Sequence, residues 1–384
     1  MPVHDRFVTS SRVDGSHMRV LVVTTWFPTK EIPHSGIFNL RDVNLLARDH
    51  EVTVVHLMNG IISPDTDDVA VLENRNFALH RIQFSPSNIR GFGKAMRALR
   101  PFLNEADILH TMAFSSLLPF VGRRIRLPWV HTEHWSGIGV RLSGFRAFRR
   151  WLVFSRLLSQ PGVVVVVSEY LREQIRRLRK RNVRVIGNFV ELPESIPSQP
   201  KHDGVHIIAV GNMVPGKGAL VAIEATKRIV DAGVDARMTW VGDGPERIPA
   251  AQLAESLGIS DRVVLTGAQP AEKIGGLLDS ADIFMLPTES ETFGVAIAEA
   301  MVHGLPVVVG ARGGFRDFID PRSSRIAEPH TPEAFAQATM NLLESTGLLS
   351  RSEIAADARA KFDENLRREQ YAAVYSLALK ARSL

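Results

Sequence analysis

Short apolar runs alternate with longer amphipathic stretches along the chain from Met18 onward. Runs of about four to eight apolar residues are typical of parallel strands buried on both faces, and the amphipathic stretches are typical of covering helices. The runs lie at 19–25, 52–57, 107–111, 129–132 and 163–168, and again at 206–210, 238–241, 263–266, 283–286 and 306–309. The pattern therefore predicts an α/β protein with two successive βαβ domains.

A polar, proline-rich segment between Leu192 and Gly204 separates the two sets of runs and predicts an interdomain linker. We therefore expect an N-terminal Rossmann-like domain over 18–195 and a C-terminal one over 204–364. Both would be doubly wound. Such sheets bind ligands at the carboxyl ends of their strands, so we expect the two domains to face a central cleft that holds the site.

The two ends of the chain carry separate expectations. The stretch from Glu353 to Ala381 is amphipathic and predicts one long helix, and residues 365–384 are expected to join the N-terminal domain. Residues 1–17 have no periodicity and include a Gly-Ser-His sequence typical of cloning vectors, so they are interpreted as a tag or as disordered.

Composition narrows the class of protein. The 384 residues are 45% hydrophobic and 23% charged, which is the balance of a folded globular chain. The absence of cysteine excludes disulfides and thiolate chemistry. The longest apolar run is Val163 to Val167, far short of the roughly 20 residues of a membrane span. With no apolar signal core at the start, these features favour a cytoplasmic protein.

A glycine-rich segment, from Gly211 to Gly218, follows one predicted strand and precedes a predicted helix over 219–230. Glycines let backbone amides approach an anion, the helix start adds a partial positive charge, and Lys217 adds a full one. The segment departs from the P-loop pattern at Gly218, where a magnesium-binding hydroxyl is needed, so an NTPase is disfavoured. It predicts a phosphate site; an ordinary turn with an exposed lysine is the alternative.

Two glutamates, Glu291 and Glu299, follow the fourth predicted strand of the second half. If a helix begins near Phe293, Glu291 lies in the loop before it and Glu299 about two turns later, so both carboxylates flank one site. The free amides of Thr292, Phe293 and Gly294 would point to the same place. The alternative is a first-turn glutamate favoured by the helix dipole and a solvated one beyond it.

Several motifs resemble those of the retaining GT-B glycosyltransferases of family 4 in order and spacing. Besides the two segments above, the matching residues are 241–245, 281–287, 299–306 and 313–314 in the second half, and 35–36, 132–134, 167–169 and 187–190 in the first. The resemblance covers about residues 18–343. It implies a GT-B fold and transfer of a sugar from a nucleoside diphosphate sugar, expected to be a UDP-sugar, to a hydroxyl group of a sugar, glycolipid or small molecule.

The resemblance also implies roles for individual residues. Glu299 would bind the ribose hydroxyls, Lys217 the diphosphate, and Glu291 the donor sugar near its reacting carbon. The implied catalytic residues are Glu291, His134 and Lys217, and the implied donor-binding residues are Gly36, Asn212, Lys217, Gly242, Thr292, Phe293, Gly294 and Glu299. Family members often have arginine where Asn212 stands, so another arginine is needed for the diphosphate, with Arg312, Arg316 or one from the first domain as candidates.

The chemistry follows from where charge develops. Breaking the bond between sugar and diphosphate creates an oxocarbenium-like carbon and an anionic leaving group, so cations and amide dipoles are needed at the phosphates. By analogy with the family, we expect a retaining hexosyl- or N-acetylhexosaminyltransferase with front-face attack, no cofactor and no metal. A nucleotide-sugar epimerase on the same fold and a non-catalytic nucleotide-sugar- or membrane-binding protein are the alternatives.

Two further groups of residues have side chains that can ligate a metal. His131 and His134 stand at the end of a predicted strand, where a pair at this spacing has poor ligand geometry and no third ligand is signalled. His134 is therefore either an active-site group or a structural histidine. The aspartates from Asp65 to Asp68 lie in a polar loop with no strand leading into it, which favours a solvated loop.

Positive charge concentrates in the first half. From Arg123 to Arg184 there are fifteen Lys and Arg residues but only three Glu. Within 141–160, apolar residues alternate with arginines in a manner typical of an interfacial helix. One interpretation is peripheral docking on the anionic inner face of a membrane, and the other is a core-packed helix with a solvated arginine face. Without a base-reading motif, no nucleic acid partner is expected.

Overall fold

A computed structural model describes residues 17–63, 65–135, 137, 144–195 and 202–382, and leaves the side chains of residues 89, 144–150 and 382 undescribed. The chain divides into two compact units. The first comprises the residues up to Val166, Gln174–Ile186 and Glu364–Leu384, and the second comprises Val167–Glu173 and Gly187–Asp363. Apart from His17, the segment interpreted as a tag lies outside the described residues.

The first unit contains a seven-stranded parallel sheet. Its strands are β1 (Arg19–Thr24), β2 (Glu51–Met58), β3 (Ala78–Gln83), β4 (Ile108–Met112), β5 (Trp129–Glu133), β6 (Val163–Val166) and β7 (Val183–Val185). Their order is β3-β2-β1-β4-β5-β6-β7. The order reverses between β1 and β4, which makes this point the topological switch at which doubly wound sheets bind ligands.

Helices cover this sheet. They are α1 (Ile37–Leu46), α2 (Ile89–Glu105) and α3 (Gly144–Leu158), with 3-10 turns at Ala70–Leu72 and Phe114–Phe120. Helix α4 (Glu169–Ile175) follows β6, and its residues up to Glu173 belong to the second unit. The central strands β4, β5 and β6 are buried along their whole length. Burial on both faces explains why these strands read as continuous apolar runs in the sequence.

The second unit repeats the architecture with six parallel strands. They are β8 (Val205–Val210), β9 (Ala236–Val241), β10 (Val263–Gly267), β11 (Ile283–Leu286), β12 (Val307–Gly310) and β13 (Ser324–Ala327), in the order β10-β9-β8-β11-β12-β13. The helices are α5 (Ala219–Asp231), α6 (Arg247–Ser256), α7 (Ala271–Asp279), α8 (Val295–Val302), α9 (Pro332–Glu344) and α10 (Arg351–Lys361), with 3-10 turns at Ser260–Arg262 and Gly314–Asp317. The prediction of two doubly wound α/β sheets is confirmed.

The C-terminal stretch predicted as one helix is two. Helix α10 ends at Lys361 and α11 (Glu364–Arg382) follows, so the prediction of one continuous helix from Glu353 to Ala381 is wrong. Phe362 lies between them and is buried against Phe318 at 5.2 Å, because the chain turns inward to bury this ring in the second unit. An amphipathic period continues across such a turn, so the sequence pattern alone does not reveal it.

Helix α11 belongs to the first unit and is held there by buried polar contacts. The Tyr371 hydroxyl donates to Asp42 Oδ2 at 2.8 Å, and the Tyr375 hydroxyl lies 2.9 Å from His110 Nδ1. Both tyrosine rings are almost fully buried. The last helix of the chain therefore completes the core of the unit formed by the first residues.

Candidate functional site

The loop between β8 and α5 carries Lys217 and is shaped by the glycines on either side of it. Gly216 and Gly218 both have positive φ, at +89° and +82°. A Cβ on Gly218 would lie 1.9 Å from the carbonyl oxygen of Pro287, so no side chain fits there. The amide of Glu289 donates to the Gly216 carbonyl at 2.9 Å. The loop is therefore pressed against the segment that follows β11.

This packing brings two of the predicted catalytic residues together. The Lys217 ammonium forms an ion pair with Glu291 Oε1. The Lys217 side chain is 32% exposed and that of Glu291 is 14% exposed, so the pair lies at the surface with the carboxylate largely shielded. A cation that is partly accessible and held by one carboxylate can exchange that partner for an incoming anion.

The segment after Glu291 has the amides expected of an anion or sugar site. Among the described residues, the amides of Thr292, Phe293 and Gly294 donate to no protein acceptor. Gly294 has φ +93° and caps helix α8, which begins at Val295. The start predicted near Phe293 is therefore two residues early, because the left-handed backbone of Gly294 cannot continue a right-handed helix. The Phe293 ring packs 5.1 Å from Phe318.

Glu299 lies on α8, in its second turn. Its neighbours Ile297, Ala298 and Ala300 are fully buried, whereas Glu299 itself is partly exposed. The helix therefore packs its apolar face into the unit, as the apolar sequence around Glu299 indicates. Because α8 starts directly after the loop of free amides, Glu291 and Glu299 lie on either side of the helix N-terminus.

Two further donor-binding candidates, Asn212 and Gly242, lie in adjoining loops of the second unit. Asn212 has an exposed side chain. Gly242 has φ +142°, and a Cβ there would lie 2.0 Å from the Gly211 carbonyl oxygen. The Met213 amide donates to the Asp243 carbonyl at 2.9 Å. The loop after β9 is thus fastened to the loop that carries Lys217.

The candidates in the first unit, Gly36 and His134, lie close to each other. Gly36 caps α1 with φ +65°, and a Cβ on it would lie 2.2 Å from the Trp26 carbonyl oxygen. The Phe38 ring packs 4.4 Å from the His134 ring, which is buried. These residues follow β1 and β5, so they share the carboxyl edge of this sheet, where ligands bind in such folds.

Sequence reasoning gave no role to Glu133, which organises the turn that holds His134. Its carboxylate is fully buried and accepts the amides of His134 and Trp135 at 2.9 and 2.8 Å. Its other oxygen lies 3.3 Å from His131 Nε2. The sequence signal is a glutamate at the end of a strand that is buried along its whole length, where a carboxylate requires such partners.

The two patterns tested as metal sites have other partners. Asp65 pairs with Lys30 at 2.7 Å, which holds the pKa of that carboxyl at about 2, and Asp67 pairs with Arg81 at 2.8 Å. His131 contacts Thr111 at 3.0 Å as well as Glu133. Within the described ranges there is no group of three or more histidine, aspartate or glutamate side chains arranged to hold a metal.

Not all of the Lys and Arg residues between Arg123 and Arg184 lie on the surface. The Arg179 guanidinium donates to the carbonyls of Leu158, Pro161 and Gly162 at 2.5 to 2.7 Å, and burial lowers its pKa to about 10. Arg179 therefore anchors backbone carbonyls inside the unit and adds little to the charge of its surface. Four other members, Arg141, Arg146, Arg149 and Arg150, have side chains outside the described set.

Helix α3 exposes apolar side chains beside exposed arginines of the first unit. Trp151, Leu152 and Val153 are 47%, 51% and 51% exposed. The indole of Trp151 donates to the Arg177 carbonyl at 3.3 Å, and the arginines at 156, 176 and 177 are exposed. No helix in the described part of the chain is both long and apolar enough to span a bilayer.

Comparison with known families matches both halves of the chain. The profile described as Glycosyltransferase Family 4 matches residues 43–193, and that described as Glycosyl transferases group 1 matches residues 204–345. The N-acetyl-alpha-D-glucosaminyl L-malate synthase of Bacillus anthracis is 30% identical over 210 residues, which are 52% of this chain and 53% of the relative. The 2-deoxystreptamine glucosyltransferase of Streptomyces kanamyceticus is 31% identical over 38% of each chain. The matches thus span about half or less of these curated relatives.

Solved structures with the same fold cover the chain more fully. Sucrose-phosphate synthase from Thermosynechococcus elongatus superposes with a TM-score of 0.78 at 19% identity, over 94% of this chain and 100% of that one. Anabaena Alr3699/HepE in complex with UDP and glucose gives a TM-score of 0.72 at 18% identity, over 94% and 100%. At these identities the superpositions establish the GT-B fold.

Proposed function

We propose that this chain, which belongs to the GT-B glycosyltransferases of the family 4 type, transfers a sugar from a nucleoside diphosphate sugar to a hydroxyl group. The observation that carries the proposal is the ion pair between Lys217 and Glu291, beside a loop with three free amides. A cation, a carboxylate and free N–H groups are what a diphosphate and the sugar attached to it require.

In the proposed reaction, the bond between the anomeric carbon and the β-phosphate oxygen breaks, and a bond to the acceptor oxygen forms. The acceptor proton passes to a phosphate oxygen, and a nucleoside diphosphate leaves. Lys217 and the amides of Thr292 and Gly294 stabilise the charge that develops on the leaving group, while the amide of Phe293 donates to a hydroxyl of the transferred sugar. Attack from the face that the leaving group vacates retains the anomeric configuration. Neither a metal nor a cofactor is required in this scheme.

Other residues would position the donor. We propose that Glu299 accepts hydrogen bonds from the ribose hydroxyls and that Asn212 and Gly242 line the nucleotide site. In the first unit, the backbone at Gly36 would bind the donor and the His134 ring would align the reacting groups. Glu133 supports this last role, because its carboxylate fixes the backbone that carries His134.

The diphosphate needs more positive charge than Lys217 supplies, and Arg312 is the candidate. The Glu291 amide donates to the Arg312 carbonyl at 3.3 Å, so the arginine backbone adjoins the ion pair. Arg312 is exposed, and no described acceptor holds its guanidinium. Arg316 is less suitable, since its guanidinium donates to the Ala311 carbonyl at 2.7 Å. We propose that Arg312 binds a phosphate oxygen in place of an arginine at Asn212.

For the donor we propose a UDP-sugar carrying a hexose or an N-acetylhexosamine. A GT-B neighbour was solved with UDP and glucose, and the relatives include an N-acetylglucosaminyl- and a glucosyltransferase. Others use GDP-mannose, so the base must be tested directly. The acceptor is proposed to be a sugar, glycolipid or small-molecule hydroxyl. A glycolipid would agree with the exposed apolar and basic surface of α3, which we propose docks on an anionic membrane.

The experiment has two stages. A thermal-shift screen of UDP, GDP, ADP and CDP identifies the base, because a ligand that binds only the folded state raises the melting temperature. Incubating the matching nucleotide sugars with sugar and glycolipid acceptors then tests transfer, with release of the diphosphate and the anomeric configuration of the product as readouts. The proposal requires a new α-glycoside from an α-linked donor. An epimerised donor without acceptor, or binding without turnover, would replace it with another function.

A further inference from the structure

We propose that Ser168 is a positioning residue that sets the direction of one donor-sugar-binding amide, that of Phe293; this rests on the proposed function. Ser168 and the 291–294 loop both belong to the second unit. The Ser168 hydroxyl donates to the Thr292 carbonyl at 2.5 Å and accepts the Leu171 amide at 3.1 Å. Ser168 is fully buried, so no water competes for the hydroxyl.

The same carbonyl is enclosed from a second side by Gly314. A Cβ on Gly314 would lie 2.1 Å from the Thr292 carbonyl oxygen and 2.4 Å from Ser168 Cβ. The Gly314 amide also donates to the Glu291 carbonyl at 3.0 Å. Only a glycine therefore allows the serine, the carbonyl and the 313–314 backbone to meet at this distance.

The turn that carries Ser168 is fastened again one residue later. The amide of Glu169 donates to Asp317 Oδ2 at 2.8 Å, and Asp317 closes the short 3-10 turn that begins at Gly314. The segments around Ser168 and Gly314 thus hold each other on both sides of the Thr292 carbonyl. The position of that carbonyl is set by two elements distant in sequence.

Fixing the Thr292 carbonyl fixes the Phe293 amide, because the two belong to one peptide group. A trans peptide is planar, and its C=O and N–H point in opposite directions. With the carbonyl held toward Ser168, the Phe293 N–H must point away from Ser168, and no described acceptor receives it. Ser168 therefore aims a donor that the proposed function uses for the transferred sugar.

This role predicts an effect on the sugar part of the donor and not on the nucleotide part. In Ser168→Ala the carbonyl loses its donor, the 292–293 peptide loses one of its two constraints, and a sugar hydroxyl loses an oriented partner. We expect the affinity for the nucleoside diphosphate sugar to fall about tenfold and kcat to fall with it, while the affinity for the free diphosphate changes less than about twofold. Both affinities are measured by isothermal titration calorimetry on the full chain.

Ser350→Ala is the matched control. Ser350 caps α10 in the same unit, where its hydroxyl accepts the Glu353 amide at 3.3 Å. Ser350→Ala should lower the melting temperature by removing a helix-capping hydrogen bond, but it should leave the ratio of the two affinities at the wild-type value. Ser168→Cys, which keeps a weak donor in a similar volume, should lie between wild type and Ser168→Ala.

The possible outcomes distinguish failure of the role of Ser168 from failure of the proposed function. If the wild type binds no nucleoside diphosphate, the proposed function fails. If the wild type binds and transfers but Ser168→Ala keeps the wild-type ratio of affinities, the function stands and the role of Ser168 is overturned. An equal loss of both affinities, matched by Ser350→Ala, would show that Ser168 acts on stability alone and would also overturn it.

Discussion

The ammonium of Lys217 is paired with the carboxylate of Glu291, although the two residues are 74 positions apart in sequence. In the proposed function these groups have different partners, since the cation binds the diphosphate and the carboxylate binds the sugar. The ion pair therefore has to open when the donor arrives. Until then the pair gives the largely shielded Glu291 carboxylate a counter-charge.

Replacing Glu291 by glutamine should separate binding of the nucleotide from catalysis. Glutamine removes the negative charge that competes for Lys217, so the affinity for free UDP should rise about threefold to tenfold. Turnover should nevertheless fall by about two orders of magnitude or more, because the carboxylate near the reacting carbon is lost. Calorimetry with UDP and initial rates of transfer test the two effects, and a weaker affinity for UDP would contradict the exchange of partners.

Replacing Arg312 by alanine should weaken diphosphate binding while leaving the fold intact. A charge-assisted hydrogen bond to phosphate is worth about 1.5–3 kcal/mol, so an affinity loss of about tenfold or more is expected. Arg322→Ala is the matched control, since Arg322 is 62% exposed and already pairs with Asp320 in the same unit. Raising the salt concentration should reduce the difference between the two variants. Equal affinities in Arg312→Ala and the wild type would reject Arg312 as the second cation.

The surface of α3 should bind vesicles that contain anionic lipid. Trp151 and Leu152 supply apolar area next to exposed arginines, and each basic side chain near an anionic surface contributes about 1 kcal/mol. The double variant Trp151→Ser and Leu152→Ser should lose co-sedimentation with phosphatidylglycerol vesicles at low salt. Ile61→Ser is the control, because Ile61 is 83% exposed in the same unit and follows β2, whereas α3 follows β5, three strands away in the sheet. Binding that survives in the double variant, or that is absent at low salt in the wild type, would exclude this docking mode.

The buried Asp42 should make the stability of the first unit depend on pH. Burial raises the pKa of Asp42 to about 7, against the hydrogen bond from Tyr371 and the charge of Arg367, which lower it. The unfolded value lies near 4, so the folded state holds this proton more tightly. The contribution of Asp42 to stability is therefore complete below about pH 4 and is lost as the pH rises through 7.

Asp42→Asn tests this linkage, because the amide stays neutral and still accepts from Tyr371. The melting temperature of Asp42→Asn minus that of the wild type should grow by several degrees between pH 5 and pH 8. A change of 1 kcal/mol corresponds to about 2–4 °C for a unit of this size. Thermal unfolding by circular dichroism across this range gives the comparison. A constant difference between the two proteins would show that the carboxyl does not titrate with folding.

The strands that the sequence predicts are the buried ones, except for β10, which is predicted although it is a partly exposed edge strand. Strand β11 has the predicted bounds, because four apolar residues end at Pro287, which cannot donate to the ladder. The strands that it misses, β3, β7 and β13, all stand at sheet edges. Edge residues are partly exposed and include arginines such as Arg81, Arg184 and Arg325, so no apolar run marks them.

The sequence indicates the individual residues of the candidate site but not the contacts between them. Lys217 and Glu291 stand out because a cation after a glycine turn and a carboxylate before a helix have specific uses. The contact between Lys217 and Glu291 depends on the close packing of Gly218 against the Pro287 carbonyl. These residues are distant in sequence, so the sequence pattern does not predict this packing. Ser168 lies in a segment that resembles a family motif, but the sequence does not reveal its contact, since its partner at Thr292 is 124 positions away.

Lys217→Ala tests the central claim most directly. If Lys217 neutralises the diphosphate of the donor, the variant should bind the free diphosphate at least about tenfold more weakly and turn over at least about a hundredfold more slowly. Lys227→Ala, which removes an ammonium paired with Asp231 on α5, should behave as the wild type. Near-native affinity and turnover in a folded Lys217→Ala protein would contradict the assignment of this loop as the donor site.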